Sequence, residues 1–132
     1  MARPPQKRKM ESPPLMMGYK PFGIPRQKLD KLELHFDEFE AIRLLDYEGM
    51  TQEEAADHMN VSRPTLTRIY ESARKAIAQA LVEGKMIVIE GGNIEFEQHW
   101  FRCKCCYQLV KEGEKHVHQP DSDENDLLPI ES

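Results

Sequence analysis

The sequence predicts a mostly α fold: one tri-helical helix-turn-helix domain with a short β-hairpin, flanked by disordered tails. Three observations predict it. A short and a long amphipathic segment follow one another across Thr51–Leu81, TQEEAADHMNVSRPTLTRIYESARKAIAQAL, with turn chemistry between them. Two apolar runs flank Gly91-Gly92 downstream. Six prolines punctuate residues 1–28, and the C-terminal end is polar and acidic, so neither terminus is expected to bury much of itself.

With 132 residues the chain has room for one small domain plus tails. Its hydrophobic content of 39% and mean hydropathy of -0.67 leave part of it unpacked. No apolar run is long enough to cross a bilayer, and the basic N-terminus lacks the apolar segment of a secretory signal. Three clustered cysteines do not make a disulfide framework, so a cytoplasmic location is the expectation. The net charge of -5 is unevenly spread: +6 over residues 1–28, -8 over 29–61, +3 over 62–86 and -5 over 111–132. An acidic protein can still present a phosphate-binding face where its cations cluster.

The chain divides into a basic Pro-rich arm (1–28), a helix-turn-helix domain with its hairpin (29–97), a Cys/His cluster (98–118) and an acidic disordered tail (119–132). In the arm, Arg3, Lys7, Arg8 and Lys9 stand between prolines, suited to lie along phosphates or in a minor groove. Tyr19, Phe22 and Ile24 are expected to dock its later part on the core. Leu32–Phe36 alternates as a short extended segment, leaving His35 on the solvated side. Asp37 then caps a first helix, with Glu40 at capping-box spacing; Phe39, Ile42 and Leu45 form its buried face, and Gly49 ends it. Asp37, Glu38 and Glu40 crowd the first turn, where the helix dipole favours carboxylates.

Thr51 with Glu54 forms a second capping box. Ala55, Ala56 and Met59 line the inner face of the second helix, and Ala56 is small enough for a close helix crossing. Asn60 stands where the turn needs a positive φ, Val61 plugs the turn and Ser62 caps the third helix. Leu66 and Ile69 face back onto these residues. The stripe continues through Ala73, Ile77, Ala80 and Leu81 to a C-cap at Gly84. Met86–Glu90 and Asn93–Glu97 then read as a hairpin turned by Gly91-Gly92, whose apolar side is a candidate homodimer contact.

A helix-turn-helix usually serves to place its second helix in the major groove of DNA. The residues left outside the stripe at the start of the third helix are Ser62, Arg63, Pro64, Thr65, Thr67 and Arg68, with Arg74 and Lys75 further along. Arg63 can present a bidentate fork to guanine, and Thr65 or Thr67 can meet a thymine methyl or a phosphate. Pro64 is tolerated because first-turn N–H groups lack helical partners. The expected function is therefore double-stranded DNA binding in transcriptional regulation. The alternative is a protein-interaction module contacting RNA polymerase or another regulator, which the acidic first helix favours. No nucleophile–base pair or phosphate-cradling glycine loop is visible, so no enzyme is expected.

The chain resembles an uncharacterised bacterial and archaeal family of small predicted DNA-binding proteins whose helix-turn-helix looks like region 4 of sigma factors. The resemblance is carried by Tyr19-Lys20-Pro21 with Gly23-Ile24-Pro25, Glu40–Leu44, Glu48-Gly49 and Gln52–Ala56, then by Val61-Ser62-Arg63 with Thr65, Arg68-Ile69, Ser72–Arg74 and Ala80–Lys85. It implies a winged-helix or sigma region-4-like domain and a regulatory role. Two departures stand out. Lys7 replaces a cysteine common in the arm of that family, and only the first half of the paired Cys-x-x-Cys knuckles that end some members is present, in Phe101–Cys106. Cys103 and Cys106 have zinc-knuckle spacing, and His116 and His118 are the downstream candidates to complete a zinc site; the alternatives are a degenerate knuckle without metal and a redox-active or iron–sulfur role.

Overall fold

The fold is laid along its third helix, α3 (Arg63–Glu83), roughly 31 Å of continuous helix. The computed structural model describes residues 7–116 and 127–130. In chain order the elements are β1 (Arg8–Met10), β2 (Gly18–Tyr19), β3 (Lys31–Leu34), α1 (Phe36–Ile42), α2 (Gln52–Met59), α3, β4 (Met86–Ile89), β5 (Ile94–Phe96), β6 (Trp100–Cys103), β7 (Leu109–Lys111) and β8 (Leu127–Pro129). Three helices with these short strands make the protein mixed α/β rather than mostly α.

The two halves of α3 serve different cores. Its N-terminal half carries Leu66 and Ile69 into a cluster with Ala41, Leu44, Ala55, Ala56 and Met59. Its middle carries Ala73, Ala76 and Ile77 onto Leu34, Phe36, Ile89 and Ile94, where the strands lie. Beyond that the helix outruns its cover: Leu81 and Val82 are 75% and 86% exposed, so Leu81 is not part of the buried stripe. Gly84 ends α3 in the left-handed conformation, at φ 68, as its C-cap position requires.

The first helix is capped two residues earlier than expected. His35, not Asp37, is the N-cap, and Glu38 reaches back to accept from the His35 backbone N–H at 2.9 Å. Past Ile42 the helix widens into a π turn at Arg43–Tyr47, where the Glu48 N–H reaches the Arg43 carbonyl at 2.9 Å. The carboxylates of this helix face inward: Asp37, Glu38 and Glu40 are all buried. Each has a partner, as burial of charge demands. Arg8 faces Asp37, the Ser72 hydroxyl donates to Glu38 at 2.7 Å, and the Arg43 guanidinium grips Glu40, which holds Arg43 above its ordinary range.

The hairpin is absent, because β4 and β5 do not pair. β4 is the centre of a three-stranded sheet, antiparallel to β2 and parallel to β3, so both its edges are taken. β5 instead pairs in parallel with β1, Met10 opposite Phe96. Gly91 and Gly92 do turn the chain, at φ 75 and 91, but around the start of α1 rather than back on themselves. The Gly91 carbonyl accepts the Phe36 N–H at 3.0 Å, and a Cβ on Gly92 would stand 2.9 Å from Asp37 Oδ1. The ribbon face expected to join two copies therefore does not exist.

The described parts of the termini are more engaged than composition suggested; residues 1–6 of the expected arm and 119–126 and 131–132 of the expected tail lie outside the described residues. Met10 is 1% exposed and anchors the arm, whereas the side chains of Phe22 and Tyr19, the expected anchors, are exposed, and Tyr19 is held only through its β2 backbone. Ile24 does dock, with its side chain against Gly84. Past residue 98 a third small sheet forms, order β7-β6-β8, so Leu127–Pro129 of the expected tail is a strand. Arg102 ties this sheet to the arm, donating to the carbonyls of Pro14 and Leu15 and to that of Tyr107 beside it. Burial pulls its pKa down.

Candidate nucleic-acid interface

The α2–turn–α3 unit is fixed by local chemistry. The Thr51 hydroxyl caps α2, accepting from the Glu54 N–H at 3.2 Å. Asn60 ends it at φ 56 and ψ 46, and the Val61 N–H returns to the Ala56 carbonyl. Ala56, 3% exposed, sits where α2 and α3 approach. The unit leaves the first turn of α3 bare: Ser62, Arg63 and Pro64 are exposed, as is Arg68 one turn on, and Thr65 is half-buried.

Hydrogen bonds sort these residues into two sets. Ser62 caps α3, accepting from the Thr65 N–H at 3.3 Å and donating its own hydroxyl proton to Thr65 Oγ1 at 2.8 Å; Arg68 leans on the same oxygen at 3.5 Å. The Thr67 hydroxyl is turned the other way, donating to Gln52 Oε1 at 2.9 Å, so it locks α3 to α2 instead of facing outward. Arg74 lies over the Tyr70 ring at 5.4 Å, and Lys75 is exposed. Tyr70 donates to Asp46 at 2.8 Å, which raises the phenol's pKa.

The arm reaches the same side. β1 packs on α2 and α1, and Arg8 helps line a cleft of about 460 Å³ with Ala56, Asp57, Asn60, Val61, Ser62 and Thr65. Arg8 is not a mobile cation: its Nη1 lies 3.5 Å from Asp37, and its buried Nε has no hydrogen-bond partner among the described residues. Burial is the main reason that the Asp37 carboxyl titrates above its ordinary range, with Arg8 opposing it. Lys7 and Lys9 are exposed, and Arg3 lies outside the described residues. Acidic groups intrude here too, since Glu53, Glu54 and Asp57 of α2 are exposed. The sequence reading missed the placement of Arg8, because nothing local ties residue 8 to residue 37.

Cys103, Cys106 and His116 converge at the β6–β7 turn, their ligand atoms all within 4.8 Å of one another. His118 lies outside the described residues. His35, Asp37 and Glu38 form a second group at such distances, but Asp37 faces Arg8, and Glu38 is engaged by Ser72 and the His35 backbone.

The family described as "Protein of unknown function DUF134" matches residues 1–97. The chain belongs to this family. A UPF0251 protein of Halothermothrix orenii is 43% identical over 119 residues, covering 90% of this chain and 88% of the relative. Another from Thermoanaerobacter sp. strain X514 is 54% identical over 93 residues, 70% of this chain and 82% of its own. A third, from Desulforudis audaxviator, is 46% identical over 106 residues, 80% and 69% of the two chains. No solved structure matches. The family match ends just past β5, so the β7-β6-β8 sheet lies beyond it. Among the described residues no helix is long and apolar enough to cross a membrane.

Proposed function

We propose that this DUF134 member binds double-stranded DNA as a transcriptional regulator, with α2 and α3 acting as a sigma region-4-like helix-turn-helix. The observation that carries this reading is the bare first turn of α3. A turn packed by Ala56, Val61 and Leu66 holds out Ser62, Arg63, Pro64 and Arg68 together, at the positive end of a long helix. Such an end favours a phosphate, and Arg63 or Arg68 has the reach and fork geometry to read guanine O6/N7. Arg8, which lines the cleft beside the same helix end while Asp37 holds it, would add positive potential there. The Thr67 hydroxyl is engaged by Gln52 and the Arg63 carbonyl, which leaves its methyl as the group for a base contact.

The exposed carboxylates of α2 favour a second reading, in which the same unit docks on a basic surface of RNA polymerase or another regulator. Fluorescence anisotropy with labelled duplex, followed by selection of bound sequences from a random pool, separates the two. DNA recognition predicts a salt-dependent affinity. Arg63→Ala or Arg68→Ala should cost about 1–3 kcal/mol at one base position if that residue reads guanine. If it contacts phosphate instead, the salt slope should fall by about 1. No binding at low salt, or binding that neither substitution alters, refutes the proposal. A palindromic selected site would indicate a two-fold dimer.

A further inference from the structure

We propose that Cys103, Cys106 and His116 bind one zinc ion. The antiparallel pairing of β6 with β7 sets Arg102 opposite Leu109 and forces the residues between into a tight reversal. Within it the Cys103 N–H donates to the Gln108 carbonyl at 3.0 Å, and the Tyr107 N–H to the Cys103 carbonyl at 2.8 Å. Tyr107 takes φ 63, a costly conformation for a residue with a bulky side chain. That turn aims the Gln108 N–H at Cys106 Sγ, 3.4 Å away. That amide fixes where the Cys106 sulfur sits in the turn.

The third donor completes the distances. His116 Nε2 lies 3.5 Å from Cys106 Sγ. With Zn–S near 2.3 Å and Zn–N near 2.05 Å, a tetrahedral ion spaces sulfur and nitrogen about 3.6 Å apart. None of the cysteines is in a disulfide. Two sulfurs and an imidazole select a soft, tetrahedral ion over magnesium or calcium. The fourth position is left to water or another donor. Bound there, the ion would fasten the segment after β7 to the β6–β7 turn, and so stiffen the sheet whose Arg102 holds the carbonyls of the N-terminal arm. No residue of this site belongs to the proposed DNA face, so the two proposals fail independently.

The test is metal titration of the full chain, reduced and freed of metal by a chelator. Cobalt(II) chloride should give the intense visible bands of a tetrahedral ion and a thiolate charge-transfer band, saturating at one equivalent, and zinc chloride should abolish both. Cys106 is exposed and His116 only partly covered, so replacing either should spare the fold. Cys106→Ser and His116→Ala should each weaken binding more than ~100-fold, beyond the effect of losing an outer-shell partner. Cys105→Ser should leave affinity unchanged. Weak octahedral bands alone, wild-type affinity in His116→Ala, or a Cys105→Ser defect equal to that of Cys106→Ser overturns the proposal.

Discussion

Asn60 offers the sharpest test of the turn that sets α2 against α3. Its backbone lies at φ 56 and ψ 46, and its N–H is spent on the carbonyls that close α2. A β-carbon in this region costs about 1–2 kcal/mol for most residues, a cost that Asn partly escapes. Asn60→Ala should therefore lose roughly 1 kcal/mol, with no side-chain hydrogen bond of Asn60 observed that could account for the loss. Asn60→Gly removes the steric cost but frees the unfolded chain by about 0.4–1 kcal/mol, leaving it within ~0.5 kcal/mol of the parent. Urea unfolding followed by far-ultraviolet circular dichroism measures both, with an unchanged dependence on denaturant. In thermal unfolding the alanine variant should melt about 4 °C lower. Alanine as stable as glycine would mean that the turn is not left-handed, and the α2–α3 geometry built on it would fall.

Met10→Ala should cost about 2–5 kcal/mol, since Met10 is fully buried and is the apolar anchor of β1. Hydrogen exchange should then show the Arg8 N–H, bonded to the Asn93 carbonyl at 2.9 Å, losing protection before the α3 amides do; unchanged protection would place the anchor elsewhere. Asp37 supplies a pH test. Burial raises its folded pKa above the ordinary 3.8, so its stabilising contribution is full below 3.8 and is lost as pH rises through the folded value. Asp37→Asn cannot ionise, so the stability of the parent relative to this variant should decline from pH 3.5 toward neutrality. A flat or rising difference in urea unfolding would mean that the attraction of Arg8 outweighs burial.

The α2–turn–α3 unit was legible because everything that specifies it is local. The caps Thr51 and Ser62, the left-handed Asn60 and the spacing of Ala55, Met59, Leu66 and Ile69 lie within one stretch of chain. The strands were not legible for the opposite reason. Met86–Ile89 has the composition of a strand, but its partners Gly18–Tyr19 and Lys31–Leu34 lie far from it in sequence, and no local pattern encodes that pairing. Gly91-Gly92 signalled a turn correctly and its direction wrongly. Asp37, Glu38 and Glu40 read as first-turn carboxylates favoured by the helix dipole. Their burial depends on Arg8, Ser72 and Arg43, and only Arg43 was within local reach. Cys103 and Cys106 were visible by spacing, whereas the approach of His116 required the reversal at Tyr107.

The position of β4 between β2 and β3 also constrains how the protein is made. Strands β1 and β2 leave the ribosome well before their partners β5 and β4. At translation rates of about 5–20 residues per second, the arm waits roughly 4–17 s for residues 86–96. During that interval α1, α2 and much of α3 are already available to assemble around Leu44 and Leu66. The helical unit can therefore assemble before the arm docks, and β4 then closes the central sheet by pairing with β2 and β3, both made before it.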